Sequence, residues 1–332
     1  MRALQLTTAA PAHSAPLRSV ELPDLVPAPD EIVLRVKACA VCRTDLQLVE
    51  GDLEARRLPI VPGHQAVGRV HRVGRDVAGW REGDRAGAAW LASTCGVCTS
   101  CTSGRENLCV EARFTGWDRD GGYATEIAVR AAFALRLPDG FEDLAAAPLL
   151  CGGVIGYRAL KVSGIRPGGR LGLFGFGASA LLALQVACHR GCEVHVRTRS
   201  RRGQEQALAL GAASVGTTED ETPPLDAAVT FAPSGDVVVA ALRSLDRGGT
   251  VAVNAIHLDR VPGFDYDALW WERGIRSVAN FTRSDAQEFL DLAATIPVQT
   301  SIRAFALDEA NEALALQAAG GLDATAVLVV DG

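Results

Sequence analysis

The first half of the chain reads as short strands separated by turn residues. Glu31 to Cys39 (EIVLRVKAC) alternates apolar and polar positions, as a half-buried strand does, and Ala66 to Val73 (AVGRVHRV) follows the same rule. Gly83-Asp84 marks a turn before a strand from Arg85 to Trp90. The texture changes near residue 145. Leu144 to Leu160 places alanines, glycines and leucines at helical spacing. Strands are then predicted at 170–176, 193–198, 226–231 and 250–254, with helices between them at 178–190, 204–210 and 236–245. Further helices are predicted at 284–294 and 308–319. An apolar strand at 326–330 closes the chain and is expected to return to the first domain. A β-rich domain followed by alternating β and α segments predicts an α/β protein whose second part is a parallel sheet covered on both faces.

A length of 332 residues accommodates two domains, and 48% apolar with 22% charged residues is ordinary for a globular enzyme. The formal charge of -6 comes with no basic stripe, which argues against a nucleic-acid partner. The opening residues lack an apolar core long enough for a signal peptide, and no stretch is long enough to span a bilayer. Nine cysteines without an export signal point to a reducing cytoplasm, where thiols are metal ligands or core residues.

Four of those cysteines, Cys95, Cys98, Cys101 and Cys109, follow the pattern C-x2-C-x2-C-x7-C. Four thiolates so spaced can enclose one tetrahedral Zn²⁺ with no open position, as a structural site requires. A disulfide cluster or a set of buried thiols is the alternative. Gly175, Gly177, Ala178, Ser179 and Ala180 lie in GFGASA, a G-x-G-x-x-A turn between a predicted strand and a predicted helix. Its first glycine permits a tight turn, its second lets a pyrophosphate approach, and the helix start offers N–H groups to phosphate. A tight packing turn is the plainer reading. At the end of the next strand, where an NAD site usually has a carboxylate, the chain reads Val196-Arg197-Thr198-Arg199-Ser200-Arg201-Arg202. Cations and hydroxyls there favour a 2′-phosphate, hence NADP, over a solvated basic loop.

Cys42, His64 and Cys151 could supply three ligands to a second zinc and leave one position open for Lewis-acid chemistry. Taken alone, a single histidine is more often a hydrogen-bonded structural residue. The segments VCRTD (41–45), PGHQAVGRVHRVG (62–74), GDR (83–85), the four-cysteine lobe, ENLC (106–109), GGYATE (121–126), PLLC (148–151) and GFGASA (175–180) together resemble the zinc-dependent alcohol dehydrogenases of the medium-chain dehydrogenase/reductase superfamily. The resemblance covers nearly the whole chain. It implies a GroES-like catalytic domain over 1–150 and 297–332, with a structural zinc lobe at about 91–112, and a doubly wound Rossmann domain over 151–296. It implies two zincs per chain, with Cys42, His64 and Cys151 on the catalytic one. Asp45 would orient His64, Arg43 would face the cofactor pyrophosphate, and Thr44 would relay the substrate proton. Trp90 and Trp117 resemble pocket-narrowing positions, with core packing the alternative. The implied activity is hydride transfer between a small alcohol or aldehyde and NAD(P), in a homodimer or homotetramer.

Three positions depart from the family pattern. Gln47 stands where a histidine commonly ends the proton relay, Gln65 where glutamate commonly follows the zinc-binding histidine, and Ile155 where a threonine is common near the nicotinamide. Glutamine cannot accept a proton at neutral pH, so the relay must end on water or on another group, or be slower; the sequence sets no distance from His71 or His257 to the site. These departures leave open reduction of an activated C=C or C=N bond, or a catalytically silent relative. Cys39, Cys188 and Cys192 read as packed thiols. Trp270 and Trp271, beside Glu272 and Arg273, read as a packing or subunit-contact feature.

Overall fold

The computed structural model describes residues 1–256 and 258–330, so His257 lies outside the described residues. The chain divides into two compact units, one formed by Met1–Cys151, Phe281–Thr295 and the segment from Gln299, the other by Gly152–Asn280 and Ile296–Val298.

Among the described residues the first unit is built on a seven-stranded sheet. Its order is Ile302–Ala306, Thr325–Val329, Glu31–Ala40, Ala66–Val73, Arg85–Ala88 and Leu135–Arg136, with Glu126–Arg130 also paired to Glu31–Ala40. The closing strand lies antiparallel to Glu31–Ala40, Val327 opposite Ala40. Glu31–Ala40 is more deeply buried than its alternation predicts, with Arg35 its one exposed residue. The reason is coverage on a second side by the helix Asp143–Ala146 and the turn Ala147–Leu150. The expected strand from Arg85 to Trp90 stops at Ala88, and Leu91–Ser93 pairs instead with Arg113–Phe114. Leu34, Val36, Tyr123, Ile127 and Leu328 lie in the core of this unit.

The helix expected over 144–160 is three pieces: Asp143–Ala146, a 3₁₀ turn Ala147–Leu150, and Gly152–Ser163. Pro148 has no N–H to donate, and Cys151 leaves helical geometry with φ -131° and ψ -68°. That break turns Cys151 out of the helix.

The second unit holds six parallel strands in the order Ser214–Gly216, Glu193–Arg197, Arg170–Phe174, Leu225–Thr230, Leu245–Val253, Gly274–Ser277. Counted along the chain this is 3-2-1-4-5-6, the doubly wound order, with the reversal beside Arg170–Phe174. The two edge strands are absent from the sequence reading. The helix expected at 204–210 spans Arg201–Ala209, because the Ser200 hydroxyl accepts the Gly203 N–H at 3.1 Å and starts it early. The helix Arg283–Ala293 packs in the first unit, not in the second as the 151–296 boundary implies. Arg283 explains this: it binds Glu106 of the cysteine lobe and the Ala132 carbonyl.

Candidate functional site

Cys42 ends an extended segment and begins the helix Arg43–Glu50. Its backbone N–H donates to Asp45 Oδ2 at 2.8 Å, which closes the first turn. Asp45 is therefore held by the same helix start that presents Cys42. Its Oδ1 accepts from His64 Nδ1 at 3.0 Å and from the Gly63 N–H at 3.3 Å, and its Oδ2 also accepts from the Tyr123 hydroxyl at 3.3 Å. Asp45 is 2% exposed and His64 1%. With Nδ1 committed to the carboxylate, His64 has Nε2 left for a ligand.

The ligand atoms of Cys42, His64 and Cys151 lie within 4.8 Å of one another. Cys151 donates to Cys42 and helps hold the Cys42 thiol well below its ordinary pKa, while Cys151 itself is driven up. Burial alone would lower His64, but Asp45 and Cys42 outweigh it and bring the imidazole to about 10. Asp45 and Cys42 thus favour positive charge on the ring between them. Two sulfurs and one imidazole that call for a cation fit Zn²⁺. Thr44 is buried beside them, its hydroxyl 3.8 Å from Cys42 Sγ. Arg43 is exposed on the first helical turn. Gln65 is buried and donates to the Ala40 carbonyl at 3.4 Å. Gln47 and Ile155 are partly buried. His71 has its ring beside Arg35 and Glu126 on the sheet, at 3.2 and 3.8 Å.

The lobe cysteines also converge. Cys95 and Cys101 are 3.9 Å apart, Cys98 and Cys101 3.6 Å, Cys95 and Cys109 3.6 Å, sulfur to sulfur. These gaps are far too long for a disulfide, near 2.05 Å. Four sulfurs about 2.3 Å from a tetrahedral zinc lie about 3.8 Å apart, which the lobe matches. The N–H groups of Val97 and Cys98 pull Cys95 down to about 7, toward the thiolate a metal takes. Cys39, by contrast, is fully buried with its thiol pushed far up by burial, as a packed residue is. Burial also raises Cys188 and Cys192.

Trp90 sets its ring edge-on to His64, with centroids 4.8 Å apart. It stacks on Phe114 at 5.2 Å and on Trp117 at 5.8 Å. The Arg56 guanidinium lies over Trp117 at 3.7 Å. Both tryptophans singled out in the sequence thus belong to one aromatic column ending on His64. Phe114, Arg56 and Tyr123 were missed. For Tyr123, Gly63 of PGH is the signal: the tyrosine ring fills the space over it, where a Cβ would sit 2.3 Å from a ring carbon.

In the second unit Gly175 has φ +89° at the end of Arg170–Phe174, and a Cβ there would press within 2.8 Å of the Ala232 nitrogen. Gly177 precedes the helix Ala178–His189, and a Cβ on it would meet no described atom within 4 Å. Protein packing therefore does not require that glycine, whereas a phosphate drawn close to the Ala178 and Ser179 N–H groups would. Arg197 needs correction as a phosphate contact. It is 3% exposed and donates to the Glu221 carbonyl at 2.7 Å, the Val196 carbonyl at 3.1 Å and Ser214 Oγ at 3.3 Å. The alternation of the strand turns its head inward. Thr198 is buried, whereas Arg199 and Ser200 are exposed.

The alcohol dehydrogenase GroES-like domain model matches residues 28–139. A Mycobacterium tuberculosis protein named as a probable alcohol dehydrogenase, AdhA, is 48% identical over 337 residues, covering 99% of this chain and 97% of that protein. The chain belongs to the alcohol dehydrogenase family of the medium-chain dehydrogenase/reductase superfamily. An alcohol dehydrogenase from Geobacillus stearothermophilus is 34% identical, covering 94% of each chain. A solved cinnamyl alcohol dehydrogenase from Sorghum bicolor superposes with a TM-score of 0.89 at 25% identity, over 98% of this chain and 97% of that one. This chain has the GroES-like and Rossmann folds of the family and is an alcohol oxidoreductase. None of its described helices is long and apolar enough to cross a membrane.

Proposed function

We propose that Cys42, His64 and Cys151 hold a catalytic zinc, that Cys95, Cys98, Cys101 and Cys109 hold a second, structural one, and that the enzyme interconverts small alcohols and aldehydes with NADP(H) preferred. The observation that carries the reading is the Cys42–His64–Cys151 cluster, three donors within 4.8 Å backed by a buried carboxylate. A zinc there supplies the positive charge that eases deprotonation of a hydroxyl or reduction of a carbonyl, and the nicotinamide takes or gives the hydride.

The chain's own residues do the rest. Asp45 fixes the His64 ring and leaves Nε2 for the metal. Thr44, beside Cys42, accepts the substrate hydroxyl's proton in oxidation and returns one to the developing oxygen in reduction. Gln47 cannot receive that proton, so the relay passes from Thr44 to water. Trp90, Phe114 and Trp117 form an apolar wall beside His64 that excludes water and favours small or flat substrates. Gly175, Gly177, Ala178 and Ser179 cradle the pyrophosphate. Thr198, Arg199 and Ser200 take the 2′-phosphate. Trp270, Trp271 and Ile275, half-exposed on and beside the edge strand Gly274–Ser277, suit a homodimer or homotetramer joined through that edge. A reducing, cytoplasmic setting suits nine unbridged cysteines.

The test is oxidation of NADH and NADPH by a panel of aldehydes, with activated alkenes and imines alongside. Aldehyde turnover with a lower KM for NADPH supports the reading. Turnover of the alkenes or imines alone would contradict it.

A further inference from the structure

The loop that carries His64 is clasped by a segment 57 residues further on. Gly121 N–H donates to the Val61 carbonyl at 2.7 Å, Gly122 N–H to the Gly63 carbonyl at 2.8 Å, and Tyr123 N–H to the Pro62 carbonyl at 3.0 Å. Glycine is needed along this seam: a Cβ on Gly121 would lie 2.0 Å from the Gly63 oxygen, and one on Gly122 would lie 2.5 Å from the Ala66 Cβ. Tyr123 completes the clasp. Its ring is wholly buried against Gly63, and its hydroxyl reaches Asp45 Oδ2, whose other oxygen holds His64. Asp45 is almost inaccessible to water and so depends on protein donors. It has four: the Cys42, Gly63 and Tyr123 groups and the His64 ring.

We propose that Tyr123 is a positioning residue for the Cys42–His64–Cys151 metal site: its ring fixes the His64 loop and its hydroxyl fixes the carboxylate that aims the imidazole. The inference rests on the proposal that this trio binds zinc. Loss of a donor from a carboxylate that orients a ligand histidine loosens the metal without removing any ligand. The 3.3 Å reach is long for an O–H donor, so the hydroxyl's own share is modest and the ring's is larger.

The experiment follows zinc release from the full-length enzyme to a colorimetric chelator, in wild type, Tyr123→Phe, Tyr123→Leu, Asp45→Asn, Asp45→Asn with Tyr123→Phe, and Cys42→Ser. Wild type should release metal in two phases, one of them missing in Cys42→Ser. Tyr123→Phe should speed that same phase about 3- to 10-fold, and Tyr123→Leu should speed it more. The release from the four-cysteine lobe should stay unchanged. In the Asp45→Asn background Tyr123→Phe should add little, because the two residues act in series. Release at the wild-type rate in both tyrosine variants, or equal acceleration of both phases, would overturn the inference. Two intact phases in Cys42→Ser would overturn the zinc reading beneath it.

Discussion

The guanidinium of Arg283 grips both carboxylate oxygens of Glu106, at 2.6 and 3.0 Å, across 177 residues of sequence. This ties the helix Arg283–Ala293 to the cysteine lobe, and Arg283 also lies over the Phe133 ring at 4.5 Å. Burial would raise the Glu106 pKa, but the Arg283 hydrogen bonds and charge outweigh it and hold the carboxyl below its ordinary 4.5. A carboxyl lowered on folding adds stability that is fully present above its unfolded pKa and is lost as pH falls through the folded value. Thermal melts from pH 7 to pH 3 should show this. Glu106→Gln should melt lower than wild type at pH 7, and the gap should close toward pH 3. A gap that is constant with pH would exclude the ion pair as its cause.

The two glycines of the nucleotide turn should respond oppositely to a side chain. Gly177 has open space and a φ of -126° that any residue adopts. Gly177→Val should therefore fold with an unchanged melting temperature yet bind cofactor about 10-fold or more weakly, since its Cβ occupies the phosphate's place. Gly175→Val should lose about 1–3 kcal/mol of stability from strain and crowding. Calorimetric melts and cofactor titration by nucleotide fluorescence separate the two.

Cofactor choice should reside in the exposed Arg199 and Ser200 and not in Arg197. Arg199→Asp should raise the KM for NADPH about 10-fold or more, with a smaller change for NADH, because a carboxylate repels the 2′-phosphate that the guanidinium attracts. Arg197→Ala should instead lower stability, since it strips the donor from the Glu221 and Val196 carbonyls. An equal effect of Arg199→Asp on both cofactors would remove the 2′-phosphate assignment.

Features written within a short stretch of chain could be read from the sequence. The lobe cysteines span fifteen positions, so their spacing alone implies convergence, and their sulfurs do converge. Gly175 announces a turn because only glycine tolerates its positive φ and the crowding against Ala232, and Gly177 completes the G-x-G spacing without being required by the fold. Cys42, His64 and Cys151 stand 22 and 87 residues apart, and folding alone gathers them; residue chemistry pointed to them only weakly, and the family resemblance made the assignment specific. Arg197 was misjudged because its strand was recognised but the face on which its head is buried was not. The edge strands Ser214–Gly216 and Gly274–Ser277 are too short for periodicity to register. Tyr123 with Asp45, and Arg283 with Glu106, join residues 78 and 177 apart that share no motif. Such pairings follow from tertiary packing, which a one-dimensional pattern does not encode.

The central claim is that Cys42, His64 and Cys151 hold a zinc on which turnover depends. Zinc per chain, measured by plasma mass spectrometry beside aldehyde reduction, tests it most directly. Wild type should carry two zincs, and Cys42→Ser should carry one, with an unchanged far-UV circular dichroism spectrum and a kcat/KM lower by about 1000-fold or more. A single zinc in wild type, with full activity retained by Cys42→Ser, would contradict the account.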